Sequence, residues 1–292
     1  MLRRSITLFL VFFLFGFTAI YFLQRRINGV VGEYHQTEEM LFLPSGSVVK
    51  KLSLGFESLV ADIYWIRAIQ YFAGGRMRDP SRKFDLLYPM LDITTTLDPA
   101  IIPVYEFGAV FLSEPPPIGA NDPQRAIGLL EKGIAANPDD PELYLRLGFV
   151  YYWYLKDYKQ AAGIFLRGSK LPQAKPWLRT MAAFSLSKGG ERASSKFLWR
   201  QIYESSENKR AKENALAHLA EMQAEDQIEA LEKVTAKFRE DSGRWPRSFI
   251  ELATHRYLRG IPLDPSGVPY LLDPESGKVM VSADTKLQIV PK

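Results

Sequence analysis

The chain of 292 residues contains no cysteine, which excludes disulfides, thiol nucleophiles and cysteine-held metals. Histidine is scarce. His35, His218 and His255 stand in separate segments, with no His-x-x-x-His spacing to place two ring nitrogens on one helix face. Gly-x-Ser-x-Gly, Gly-x-Gly-x-x-Gly and Gly-x-x-x-x-Gly-Lys-Ser/Thr are also missing, and the Gly74-Gly75 and Gly189-Gly190 pairs read as turns. These gaps point away from an enzyme and away from a bound cofactor or metal. Charge of one sign is lacking too. The chain has 37 Lys+Arg against 33 Asp+Glu, but Arg3, Arg4, Arg25 and Arg26 all precede the first acid, Glu33. Setting those four aside leaves 33 basic and 33 acidic residues, so no basic stripe remains to neutralise phosphates, and nucleic acid is not an expected partner.

One long apolar run is present. Residues 6–23 carry no charge and are flanked by Arg3-Arg4 and Arg25-Arg26. Eighteen residues make a helix of about 27 Å, enough to cross a hydrocarbon core. The run ends in Tyr21-Phe22-Leu23-Gln24-Arg25, without the small residues of a cleavage site, so an uncleaved single-pass anchor is expected. With the short basic amino-terminal tail inside, the bulk of the chain lies outside the cytoplasm, in a bacterial periplasm next to the inner membrane.

A second regularity organises the rest. Ala68, Gly108 and Gly148 lie 40 residues apart, and successive segments close on Pro99, Pro138 and Pro172. A fixed period of this length means stacked supersecondary units. The clearest unit starts at Pro141, with Tyr144, Leu147, Gly148 and Tyr151, then Ala161, Phe165, Gly168 and Pro172. This pattern resembles the tetratricopeptide repeat. The preceding unit matches with Phe107, Gly108, Phe111, Ala126, Leu130, Gly133 and Pro138, its helices parted by a longer turn, Glu114 to Asn121. Weaker units cover 61–99, where Arg67 replaces an apolar residue, and 174–207; residues 209–240 read as a further helical pair.

The resemblance implies a concave groove lined by first-helix residues. Carried onto this chain, those positions are Trp65, Ile69 and Phe72; Tyr105 and Leu112; and Leu145, Phe149, Tyr152 and Trp153. A protein or peptide partner is the expected occupant. Independently, the four consecutive aromatics Tyr151 to Tyr154 are spread about 100° apart on a helix, so one or two of them must meet solvent, another segment or a partner.

Beyond Gly243 the pattern changes. Leu271-Leu272 and Val279 to Ser282 flank Asp273-Pro274-Glu275-Ser276-Gly277-Lys278, which predicts a β-hairpin with Gly277 at positive φ; Pro265 to Gly267 predicts a tight turn before it. The segment resembles the tails of type II secretion pseudopilins. Some of those hold calcium, for which Asp264 and Asp273 are the obvious oxygen ligands here, although acids in turns more often cap local amides.

The expected architecture is mainly α: a tetratricopeptide-like α-solenoid of helix pairs with one transmembrane helix and a small carboxy-terminal β-hairpin cap. Its parts are a stub and anchor at 1–26, a linker at 27–60, repeats at 61–240 and the cap at 241–292. The expected function is a membrane-anchored extracytoplasmic scaffold in the assembly of an envelope machine such as a pilus, secretion system or transporter. The competing expectation is a periplasmic lipid- or glycan-binding protein, or an enzyme accessory subunit, built around an aromatic-lined groove.

Overall fold

The computed structural model describes residues 16–23, 25–26, 43–78 and 84–287, in two units, Met1–Pro44 and Ser45–Lys292. In the first unit, residues 16–23 are helical. Residues 6–15 of the expected anchor lie outside the described residues, among which no helix is long and apolar enough to cross a membrane.

The second unit is mainly helical as far as Ser242. Its elements are α1 (Gly46–Leu52), α2 (Glu57–Arg78), α3 (Leu87–Leu97), α4 (Ile102–Ser113), α5 (Pro123–Ala136), α6 (Pro141–Phe149) running into a π-helical turn (Val150–Leu155), α7 (Tyr158–Gly168), α8 (Trp177–Lys188), α9 (Arg192–Ser205), α10 (Lys209–Ser242) and α11 (Phe249–Thr254). Side-chain caps set the starts of α5, α6 and α7. Asp122, Asp140 and Asp157 accept from the backbone N–H of Arg125, Glu142 and Gln160, and Pro123 and Pro141 occupy the first turn.

Glycines set how closely the helices approach. A Cβ on Gly148 would lie 2.3 Å from the Phe165 ring, and one on Gly108 would meet Leu129 and Leu91. Ala68, at the same place in the first repeat, is fully buried, while Arg67 beside it is exposed. The register therefore holds at α2, and Arg67 needs no buried partner. In α3, the hydroxyls of Thr94, Thr95 and Thr96 donate back to the carbonyls of Met90, Leu91 and Asp92, which lets a polar run lie inside the array. Lys132 of α5 then ties the second repeat to the first, donating to Asp92 Oδ1 at 2.6 Å and to Thr96 Oγ1 at 2.7 Å.

Within the stretch 27–60, the short helix α1 packs on α3, where a Cβ on Gly46 would lie 2.8 Å from Thr96 Cβ. One boundary differs from expectation. Residues 209–240 form no helical pair. They belong to one 34-residue helix, α10, capped by Asn208 and ended by Gly243 in the left-handed conformation. No glycine or proline interrupts it.

The tail docks on the carboxy-terminal half of α10. Strands β1 (Leu271–Leu272) and β2 (Val279–Met280) pair antiparallel, Leu271 opposite Met280, and Gly277 has φ +72°. Phe249, Leu252, Tyr270 and Val279 close a second core with Leu231 and Phe238. Thr235 donates to the Gly277 carbonyl at 2.9 Å, and Tyr270 to Gln227 at 2.7 Å. Asp264 is spent on its own turn. It accepts from the Ser266 N–H and hydroxyl, the Val268 N–H and the Thr285 hydroxyl. Burial alone would raise its pKa, but these donors hold it below the usual value.

Candidate functional site

The nine residues expected to line a groove do not share one environment. Phe72, Tyr105, Leu112, Leu145 and Tyr152 are buried among neighbouring helices. Trp65 is half-buried and stacks on Phe111, which Phe72 stacks on from another side at 4.1 Å. Phe149 is half-buried against the edge of Phe165. Only Ile69 and Trp153 are exposed, Trp153 by 61%.

A slip of register explains the clearest departure. The Tyr105 hydroxyl donates to the Pro99 carbonyl at 3.2 Å, and the Tyr144 hydroxyl donates to the Pro138 carbonyl at 3.1 Å. Each side chain also covers a glycine of its second helix, Tyr105 with its ring and Tyr144 with its Cβ. Cβ atoms on Gly133 and Gly168 would lie 2.8 Å from Tyr105 and 2.7 Å from Tyr144. Tyr105 is thus the counterpart of Tyr144, not of Leu145, and its ring belongs between the helices of its own pair. Burial is also why its pKa is pushed up to about 12.

The π-helical turn distributes the run of four aromatics. Tyr152 goes into the core, Tyr151 and Tyr154 are half-buried, and Trp153 faces out. Tyr154 donates to Glu114 at 2.8 Å, fastening this turn to the end of α4. Burial, and then the Glu114 carboxylate, raise its pKa.

From Trp153 a ladder of rings crosses the first helices. Trp153 meets Tyr152 edge-on at 4.8 Å, Tyr152 meets Phe184 of α8 at 6.3 Å, and Phe184 meets His218 of α10 at 6.2 Å. His218 stacks on Trp199 at 4.4 Å and keeps its Nδ1 2.9 Å from Glu221. Phe184 is partly exposed. Sequence reasoning placed His218 on a helix but missed Phe184 as a surface residue. The available signal was its place seven residues after Trp177 in a first helix. Of the ladder, Trp153 and Phe184 are exposed, and their apolar edges suit the burial of a partner's apolar side chains.

A separate recess of about 700 Å³ opens between the α7–α8 connection and the start of α10, with Trp177, Ile202 and Ala211 on its walls. Lys175 at its rim is ion-paired to Glu142, whereas Arg179, half-buried, has no ion-pair partner among the described residues. The recess can receive an apolar group beside a carboxylate. Among the described residues no group of three or more His, Asp or Glu is placed to hold a metal ion.

No curated protein and no solved structure matches the chain. Residues 118–183, running from the turn before α5 through most of α8, match the tetratricopeptide repeat family, whose helical repeats generally bind protein partners.

Proposed function

We propose that this protein is a membrane-anchored, extracytoplasmic scaffold that holds a protein partner on the first-helix face of its repeats. The observation that carries this reading is the ring ladder ending in Trp153, an exposed indole backed by a buried tyrosine. An exposed aromatic held rigidly from behind loses little freedom on binding, which is how interface anchors act. The apolar run 6–23 between arginine pairs supports the anchor and the periplasmic side, and the tail's likeness to pseudopilin tails supports work in assembling an envelope machine. In this reading the protein catalyses no reaction. A lipid or glycan enclosed under the aromatics is the weaker alternative, since Trp153 and Phe184 stand open rather than roofing a cavity.

The test is crosslinking from membranes, comparing wild type with Trp153→Ala/Phe184→Ala. Phe149 is left intact because it packs on Phe165. A specific envelope protein captured by wild type and lost by the variant supports the reading. The same partners at full yield on a stably folded variant would mean that the ladder is not the binding face.

A further inference from the structure

Helix α2 is apolar on two sides. One side, with Ala61, Ala68 and Phe72, is buried in the array. The other presents Leu59, Ile63 and Ile66, spaced four and three residues apart and all exposed. Exposed Asp62 and Arg67 flank the stripe, so α2 is apolar on two faces and charged between them. Among the described residues nothing covers this stripe.

The stripe continues before the helix. Leu52, Leu54 and Phe56 are 71%, 84% and 66% exposed on the turn that joins α1 to α2. Leu54 sits in the left-handed region at φ 50°, an uncommon place for a bulky residue, followed by Gly55 at φ 93°. The turn is not loose. α1 is held on α3 by the Gly46–Thr96 contact, and Ser53 is buried, donating to the Val49 carbonyl at 2.8 Å. Three large apolar side chains are therefore held outward at one place, with exposed Lys50 and Lys51 beside them.

We infer that the Leu52–Phe56 turn and the outer face of α2 dock on the lipid surface of the membrane that holds the amino-terminal anchor. This rests on the anchor proposed above. Three observations select lipid over other occupants. The lysine pair complements anionic headgroups at the edge of the apolar wedge, the arrangement by which surface-lying elements bind bilayers. A partner helix would want a seam sustained over three or four heptads, but this one breaks off at Gln70, and its largest residues lie on a turn off the helix line. The chain from Leu23 to Ser45 spans at most about 75 Å, so an anchored molecule keeps the wedge at high local concentration near the same bilayer. Docking would fix which side of the repeats faces away from the membrane toward a partner.

The chain has no cysteine, so single-cysteine reporters are unambiguous. The full-length protein would be reconstituted in phosphatidylethanolamine/phosphatidylglycerol vesicles, a fraction of the lipids carrying a nitroxide in the upper acyl chain. A polarity-sensitive fluorophore is placed by Leu54→Cys, Ile63→Cys, Leu14→Cys in the apolar run, or Glu240→Cys as an exposed control. Docking predicts blue-shifted, nitroxide-quenched probes at Leu54 and Ile63 and an unquenched probe at Glu240. Adding Lys50→Glu and Lys51→Glu should weaken the docking equilibrium by about fivefold per lysine, the ratio for about 1 kcal/mol per basic residue at an anionic surface. If Leu14 is quenched while Leu54 and Ile63 behave like Glu240, the anchor stands and docking is overturned. If Leu54 and Ile63 are shielded from water yet unquenched, a second copy or a protein partner covers the stripe, and docking is equally overturned. Quenching at Leu54 and Ile63 with none at Leu14 would support docking and remove the anchor. No quenching anywhere removes both.

Discussion

In the repeats, helices approach closely where aromatic side chains sit on glycines: the rings of Phe165 on Gly148 and Tyr105 on Gly133, and the Tyr144 Cβ on Gly168. All three join residues fewer than thirty positions apart. The tail uses one such contact, Trp245 on Gly277, and otherwise packs Phe249, Leu252, Tyr270 and Val279 on Leu231 and Phe238, with hydrogen bonds reaching 42 to 47 residues back to α10: Thr235 to the Gly277 carbonyl, Tyr270 to Gln227, and the Val279 N–H to Glu232. The repeats thus close on themselves pair by pair, each unit carrying its own core to the next. The tail has too little apolar surface for that and completes its core on a helix formed elsewhere. Loss of a repeat contact should therefore propagate through the array, whereas loss of a tail contact should stay local.

The sharpest test of that difference is Phe165→Ala. The ring is fully buried between Gly148 and Phe149. Its removal should cost about 4 kcal/mol and lower the midpoint of the whole helical transition in denaturant. A loss confined to α7, with α4 and α9 unaffected, would break the comparison. Gly277→Ala should cost about 3 kcal/mol by combining a strained positive φ with a Cβ placed 2.2 Å from the Trp245 ring. Hydrogen exchange should then report opening of residues 263–287 while α4 to α8 stay protected.

The same contrast governs what could be read from the chain beforehand. Gly108, Gly148 and the closing prolines repeat, and the helix pairs at 102–168 follow from them. The hairpin was equally legible, because Gly277 and the two apolar runs are local signals. Tyr105 was misplaced by one residue because its unit and the next differ by one in the spacing of tyrosine to glycine, Tyr105–Gly108 against Tyr144–Gly148. Only the hydroxyl bonds to Pro99 and Pro138 expose the slip. α10 was split because repeats had been running in pairs, although an uninterrupted stretch without glycine or proline argued for one helix. The helical positions of Phe184 and His218 were legible, but their pairing was not, since those rings meet between helices more than thirty residues apart.

Smaller effects sharpen the comparison further. Asn208 caps α10 by accepting from the N–H groups of Arg210 and Ala211, so Asn208→Ala should cost about 1 kcal/mol. Both regions rest on α10, so repeat and tail protection should fall together. Gly163 is the opposite case: it lies in α7 with open space around its would-be Cβ. Gly163→Ala should raise stability by up to about 1 kcal/mol, where the same change at Gly148 in the same repeat lowers it by about 2 kcal/mol. Equal effects at the two glycines would mean that ring-on-glycine packing is not what holds the pair.

The tail's start supplies the smallest effect, visible only with pH. Ser248 accepts from the Glu251 N–H at 3.3 Å, and the Glu251 carboxylate reaches back to the Arg247 N–H at 2.6 Å and to Arg244, boxing the first turn of α11. The Arg244 guanidinium, then the Arg247 amide, hold the Glu251 carboxyl at about 2, against an ordinary 4.5. A depressed folded value means that ionised Glu251 favours the folded tail fully above its ordinary pKa, and that this contribution fades as pH falls from about 4.5 toward about 2. Amide signals of residues 244–255 should shift through that window in wild type and lose this step in Glu251→Gln, while those of α4 to α7 stay unchanged by the substitution. A step of the same size in the variant would assign the acid response to other carboxylates and leave the first turn of α11 held by Ser248 and its apolar contacts alone.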